Sequence, residues 1–177
     1  ASDSSGAPAF GLVVESDVVM IFDANDPSQT VGVVTLDETA GSVTHGVSAL
    51  DREGDVVYFI AGGKLLALEL SSPNLVTIPL RTGAENMIGF VSMEWDEIHN
   101  RLIGLALVDG EMTMCAVDAV SGNVTRLEYL AACGTCECSP SQGVSALDTV
   151  RGVYYVASQV VVLSLNASTG SMVSQSS

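Results

Sequence analysis

Apolar residues arrive along this chain in short unbroken runs: Leu12–Val14, Val18–Phe22, Val56–Ala61, Leu65–Leu68, Leu102–Val108, Val153–Ala157 and Val160–Leu163. The runs are rich in Val, Ile, Leu and Tyr and are bounded by Gly, Asp, Asn, Ser or Pro, a pattern that predicts β-strands separated by turns. They do not alternate cleanly with polar residues, so both faces of the sheets are expected to be buried. Helices are one way to cover such faces. No amphipathic stretch exceeds about two turns, however, the best lying around Leu127–Ala132. Sheets are therefore expected to cover sheets.

The chain also repeats itself. Gly46-Val-Ser-Ala-Leu-Asp51 recurs as Gly143-Val-Ser-Ala-Leu-Asp148, and Val56-Val-Tyr58-Phe matches Val153-Tyr-Tyr155-Val at the same offset. A looser copy, Val91-Ser-Met-Glu-Trp-Asp96 followed by Arg101-Leu-Ile-Gly-Leu-Ala106, lies between them. A second element, a strand followed by a polar turn and another strand, recurs around Asp23, Ser71, Asp118 and Asn166, anchors 48, 47 and 48 residues apart. A fixed period of this length marks a repeat architecture, and a unit of about 45 residues with four short strands is the size of one β-propeller blade. The expected fold is all-β and propeller-like: a single domain of four repeats of about 45–48 residues, with units at about 10–45, 46–88, 89–142 and 143–177. The first unit supplies three strands and lacks its innermost one. The longest insertion, Ala131–Gln142, carries three of the four cysteines.

These repeats resemble those of extracellular and periplasmic β-propellers of the NHL, YVTN and YWTD-like kind. There a small-residue strand leads to an Asp, then to an aromatic-containing strand, a third strand, and a turn such as Asp118-Ala-Val-Ser-Gly or Asn166-Ala-Ser-Thr-Gly. The resemblance covers nearly the whole chain from about Phe10 and implies a toroid of stacked sheets with ligands or partners at its loops or channel. It carries over no catalytic residue.

Composition narrows the partners. In 177 residues, 47% are hydrophobic and 15% charged, with a mean hydropathy of +0.41, so much of the surface must be covered. Twenty-one Asp and Glu against 6 Lys and Arg give a net charge of -15, which repels nucleic acid and anionic membranes. No run approaches the roughly 18 apolar residues of a spanning helix. The small, polar start Ala1-Ser-Asp-Ser-Ser-Gly6 is what a mature chain shows after signal removal. An even set of cysteines (Cys115, Cys133, Cys136 and Cys138) beside two glycosylation triplets, Asn123-Val-Thr and Asn166-Ala-Ser, points to secretion with N-linked glycans and disulfides. A Cys136–Cys138 bridge would close a strained ring. Two pairings remain open: Cys115–Cys136 with Cys133–Cys138, or Cys115–Cys138 with Cys133–Cys136.

Candidate chemistry is sparse. His45, Ser48 and Asp51 tempt as a triad, but the copies place Gln142 and Ile88 at His45 and keep serine as Ser145 and Ser92, so the serine follows the repeat and not a base. His99 beside Asp96 reads as a turn residue. Cys133-Gly-Thr-Cys136 has redox spacing in the wrong context, a loop of an all-β repeat, and a four-thiolate zinc site is less favoured than disulfides. Acidic groups in turns, such as Asp23 with Asp26, Asp51 with Glu53 and Asp55, Asp96 with Glu97, and Asp109 with Glu111, make calcium the alternative cofactor, with solubility the simpler reading. Tyr58, Tyr154, Tyr155 and Trp95 are expected in the core sooner than on a sugar-stacking surface.

A first unit that starts one strand short leaves an open sheet, which a neighbouring copy can complete. The expectation is a non-enzymatic, secreted structural subunit that joins head to tail into a surface filament or matrix, with no metal and with itself as partner. The alternatives are a closed extracellular propeller that binds a glycan or protein, and a fragment of a larger propeller enzyme.

Overall fold

The computed structural model describes residues 10–15, 18–23, 26–36, 43–72, 74–83, 87–129, 144–157 and 161–176. They form four sheets and, among the described residues, no helix. Sheet 1 holds β1 (Phe10–Glu15), β2 (Val18–Asp23) and β3 (Asp26–Thr35). Sheet 2 holds β4 (Val43–Asp51), β5 (Val56–Ala61), β6 (Lys64–Glu69) and β7 (Asn74–Pro79). In sheet 3, β9 (Met87–Asp96), β10 (Arg101–Val108), β11 (Glu111–Val117) and β12 (Asn123–Tyr129) are joined at the outer edge by β8 (Arg81–Thr82). Sheet 4 holds β13 (Val144–Asp148), β14 (Val153–Ala157), β15 (Val162–Asn166) and β16 (Met172–Ser176). Neighbouring strands run antiparallel except β8, which pairs parallel with the start of β12. The propeller-like, all-β architecture agrees with the repeat pattern, and the four sheets do not close into a ring.

Successive sheets stack face to face. Phe59, Ala61, Leu66 and Leu68 of sheet 2 share a core with Val19 and Leu36 of sheet 1. The alternate residues of the same strands, Tyr58, Ile60 and Leu65, pack with Met93, Trp95, Leu102, Cys115 and Val117 of sheet 3. Sheet 3 repeats the division, for Ile103, Leu105, Met114 and Ala116 turn the other way, onto Tyr154, Val156, Leu163 and Leu165 of sheet 4. Because side chains alternate across a strand, a run apolar at every position is what a sheet with two covered faces requires. Each fully buried Leu or Ile in such a layer is worth about 1.5–3 kcal/mol.

The register defines equivalent positions. Asp51 pairs with Val56, Asp96 with Arg101 and Asp148 with Val153, so each first strand ends in an Asp that opens a four-residue turn. Residues four further on, Asp55, Asn100 and Gly152, all take positive φ. Asp51 Oδ1 accepts from the Glu53 and Gly54 amides, Asp96 Oδ1 from the His99 amide and Asp148 Oδ1 from the Arg151 amide. The recurring Asp is thus a turn cap, in which a carboxylate replaces missing backbone partners. By this register Ser48 corresponds to Met93 and Ser145, whereas Ser92 corresponds to Val47 and Val144. The sequence alignment of Ser92 with Ser48 is off by one residue, hence on the opposite face.

The second repeated turn, after the third strand, uses Asp118 and Asn166 in the same way. Asp118 Oδ1 accepts from the Val120 and Ser121 amides at 3.1 and 2.6 Å, and Asn166 Oδ1 from those of Ser168 and Thr169 at 2.9 and 3.0 Å. Donation from the Ser121 amide and hydroxyl, the former first in weight, holds the Asp118 carboxyl below the usual carboxylate range. Each turn closes on a left-handed glycine, Gly122 or Gly170, whose amide bonds back to the carbonyl of residue 118 or 166. Both glycines press on the preceding sheet: a Cβ on Gly122 would strike the Pro79 carbonyl, and one on Gly170 would meet Glu128.

Gly122→Ala is expected to destabilise the fold by about 2 kcal/mol or more, since strain and overlap coincide. Gly110→Ala, with φ near +81 and open space around it, should cost only about 1–2 kcal/mol. Urea unfolding midpoints of the two variants check the difference.

Candidate functional site

The polar side chains of interest collect along the two joints flanking sheet 3, where β9 runs beside both β4 and β13. At the joint between sheets 3 and 4, the Tyr154 hydroxyl donates to Ser92 Oγ at 2.7 Å and Ser145 Oγ donates to Glu94 Oε1 at 2.8 Å. Ser92 and Tyr154 are fully buried, and Glu94 and Ser145 partly so. Burial, opposed in part by hydrogen bonding to Ser145 and Ser92 and helped a little by the Glu94 charge, pushes the Tyr154 hydroxyl up to about 12. Desolvation likewise raises Glu94, offset in part by the Ser145 bond. The group holds hydroxyls and a carboxylate but no imidazole. Its chemistry is that of a hydrogen-bonded clasp in an apolar layer, where an unmet partner costs more than a met one returns.

On the rim that carries the turns, Asp96 Oδ2 accepts from His99 Nδ1 at 2.7 Å and from Arg101 Nε at 3.1 Å, while Arg101 Nη2 donates to the Ala167 carbonyl at 3.0 Å. Asp96 is buried, so its charge is held where a guanidinium answers it. Arg101 ties the first turn of sheet 3 to the second turn of sheet 4. His99 is a turn residue, as the sequence suggests, and is also a partner of Asp96. Arg101 and Glu94 were not singled out from the sequence. A charged residue at a place where the copies have Val56 and Val153, or Ala49 and Ala146, was the available signal.

At the joint between sheets 2 and 3 the contacts are aromatic. Tyr58 and Trp95 stack with ring centres 5.3 Å apart and planes 14° from parallel. Burial first, then the nearby Asp51 charge, raises the Tyr58 hydroxyl. Beside them a cleft of about 340 Å³ opens between sheet 2 and the second turn of sheet 3, with Val56, Tyr58, Glu69, Ile78, Ala119 and Val120 in its walls.

Tyr58, Tyr154 and Trp95 lie in the core, and Tyr155 sits half-buried on the far face of sheet 4. Asn123 is exposed at the start of β12, and Asn166 heads its turn on the same rim. Cys115 is a free, buried thiol, which gives the disulfide expectation no support. The register puts it where sheets 2 and 4 have Leu66 and Leu163, so it packs as a small apolar side chain. Burial pushes its thiol up to about 11, with a smaller opposing pull from Arg126. Cys133, Cys136 and Cys138 lie outside the described residues, as do the insertion 131–142 and the side chain of His45. Among the described residues no three His, Cys, Asp or Glu converge as a metal site. Asp51, Asp96 and Asp118 bond to their own turns, and Asp109 pairs with Arg126 at 2.8 Å.

Tyr154→Phe should cost about 1–3 kcal/mol by leaving Ser92 buried without its donor, read from denaturant unfolding. Glu94, whose folded state holds its proton more tightly than the unfolded chain does, contributes stability that is present below the usual carboxylate range and lost as pH rises through the raised value. Glu94→Gln should therefore be more stable than the native chain at neutral pH, the gap narrowing toward about pH 4. Unfolding midpoints at the two pH values measure this.

No family model and no curated protein matches this chain. Solved structures do. The extracellular domain of a hybrid two component system from B. thetaiotaomicron superposes with a TM-score of 0.56 at 15% identity, covering 92% of this chain and 20% of that one. The dehydrogenase NirN, which acts on dihydro-heme d1, gives 0.54 at 14%, covering 94% and 34%. AztD from Citrobacter koseri gives 0.51 at 14%, covering 94% and 45%. At these identities the likeness concerns the fold alone. The chain spans between a fifth and a little under half the length of these proteins, and its four sheets form an open run of propeller-type blades.

Proposed function

We propose that this chain is a non-enzymatic extracellular structural subunit that joins further copies head to tail through its terminal sheets. One observation carries the reading: among the described residues, the free face of sheet 4 is an uncovered copy of a stacking face. By register Val144, Ala146, Tyr155 and Val162 stand where sheet 2 has Val47, Ala49, Tyr58 and Leu65. Val47 and Leu65 are 2% and 0% exposed beneath sheet 3, whereas Val144 and Val162 are 73% and 42% exposed. An apolar face of that kind on a chain this acidic calls for a covering surface. Sheet 1 offers one, since Val18, Met20 and the exposed Val33 lie opposite its packed face. Sheet 4 of one copy on sheet 1 of the next is a head-to-tail contact, which propagates as a filament unless the rotation closes a ring. The extracellular setting is supported by the two Asn-x-Ser/Thr triplets on one exposed rim and by the extracellular neighbour, and N-linked glycans at Asn123 and Asn166 belong to the same proposal.

A second reading has one observation in its favour, the fraction of each neighbour's length that the chain spans: further blades of a longer polypeptide would then cover sheet 4. Sedimentation of the 177-residue chain across a concentration series separates the two. Self-association that Val144→Glu with Val162→Glu abolishes, both at exposed positions where folding is unaffected, is the expected outcome. A native chain that stays monomeric at its highest soluble concentration removes head-to-tail assembly and leaves the longer polypeptide.

A further inference from the structure

The two joints of sheet 3 differ on the turn-bearing rim as well as in their inner contacts. In sheet 3 the capping carboxylate Asp96 uses Oδ1 for its turn and Oδ2 for His99 and Arg101, and the Arg101 guanidinium goes on to the Ala167 carbonyl of sheet 4. The register places Asp51 at the position of Asp96, Gly54 at His99, Val56 at Arg101 and, through the second turn, Ala119 at Ala167. The carboxylate and the carbonyl persist while both donors are gone. Asp51 Oδ1 still caps its turn, accepting from the Glu53 and Gly54 amides at 3.1 and 2.9 Å. Neither Gly54 nor Val56 has a side-chain donor to offer Oδ2. Where the guanidinium and its stem lie in one joint, the other has the cleft of about 340 Å³.

We propose that this cleft is a socket for an arginine side chain of a basic peptide segment on a partner protein. The methylene stem lies over Val56 and Tyr58, and the guanidinium sits between the Asp51 carboxylate and the Ala119 carbonyl, as Arg101 does one sheet further on. A planar fork of donors can bridge two acceptors set apart, whereas a lysine ammonium is a single compact charge, so arginine is selected over lysine. Glu69 in the wall and the net charge of -15 attract a cationic segment and repel an acidic one. The Asp51 carboxylate lies directly behind Gly54, a residue of the cleft wall on which a Cβ would strike Asp51 Oδ2, and its charge reaches the Tyr58 hydroxyl in the same wall. The socket lies between sheets 2 and 3, away from the free face of sheet 4, and does not depend on self-association.

The test uses the whole chain and three short peptides that differ only at a central arginine, lysine or citrulline, the last a neutral isostere of arginine. Trp95, stacked on Tyr58, is the single tryptophan and reports binding by fluorescence, with calorimetry alongside. The arginine peptide is expected to bind at least about tenfold more tightly than the citrulline peptide, and more tightly than the lysine peptide. Asp51→Asn keeps the capping oxygen and should lower arginine binding about tenfold. Val56→Arg, which supplies the missing side chain in place, should abolish binding and raise the melting temperature. Equal affinity for the arginine and citrulline peptides overturns the proposal, as does undiminished binding by Asp51→Asn. Should Val56→Arg fail to fold, Asp51→Asn decides alone. Displacement of the peptide by self-association would assign the socket to a second copy and overturn the partner.

Discussion

A sheet that is apolar on both faces cannot stand alone in water, and that constraint organises this molecule. Sheets 2 and 3 send alternate residues of the same strands into two different cores, so each is sandwiched and neither face is free to be polar. The run of stacked blades follows from this demand, repeated at each sheet. The exposed face of sheet 4 is where the demand is left unanswered among the described residues. That is why the proposed function lies at an end of the run and not at a constellation of polar side chains.

Hydrophobic layering is non-directional, so something else must hold each sheet in register with the next. The turns do this. A carboxylate or amide cap shapes the first turns of sheets 2, 3 and 4 and the second turns of sheets 3 and 4, where a left-handed glycine lets the turn press on the sheet before it. The inner parts of the joints add direction in two chemically different ways, a Tyr58–Trp95 stack on one side of sheet 3 and the Ser92–Tyr154 and Ser145–Glu94 bonds on the other. The repeated backbone is thus the same at each joint while the side chains filling it are not. A place filled in one joint and empty in the next is where a ligand can substitute for the protein's own residue.

Much of the architecture was legible in the residues. Unbroken apolar runs announced strands buried on both sides, and the period between Asp23, Ser71, Asp118 and Asn166 announced stacked units, with the cap itself repeated at Asp118 and Asn166. Reading the degenerate copy was harder. Ser92 looked equivalent to Ser48, and a shift of one residue moved it to the other face, where it meets Tyr154. Cys115 counted as one of an even set of cysteines, yet its neighbours on the strand show it at an aliphatic position. Arg101 was passed over because a cation at a strand end is unremarkable until its reach is known.

The residues themselves determined which segments are strands, where each turn begins, and that every interior sheet has two apolar faces, since these are properties of local periodicity and turn chemistry. Only the tertiary structure decided which polar groups meet and which face goes uncovered. Contacts such as Arg101 with Ala167 and Ser145 with Glu94 join residues 66 and 51 positions apart. Their existence depends on how one sheet is set against the next, a relation that spacing within a single repeat does not encode.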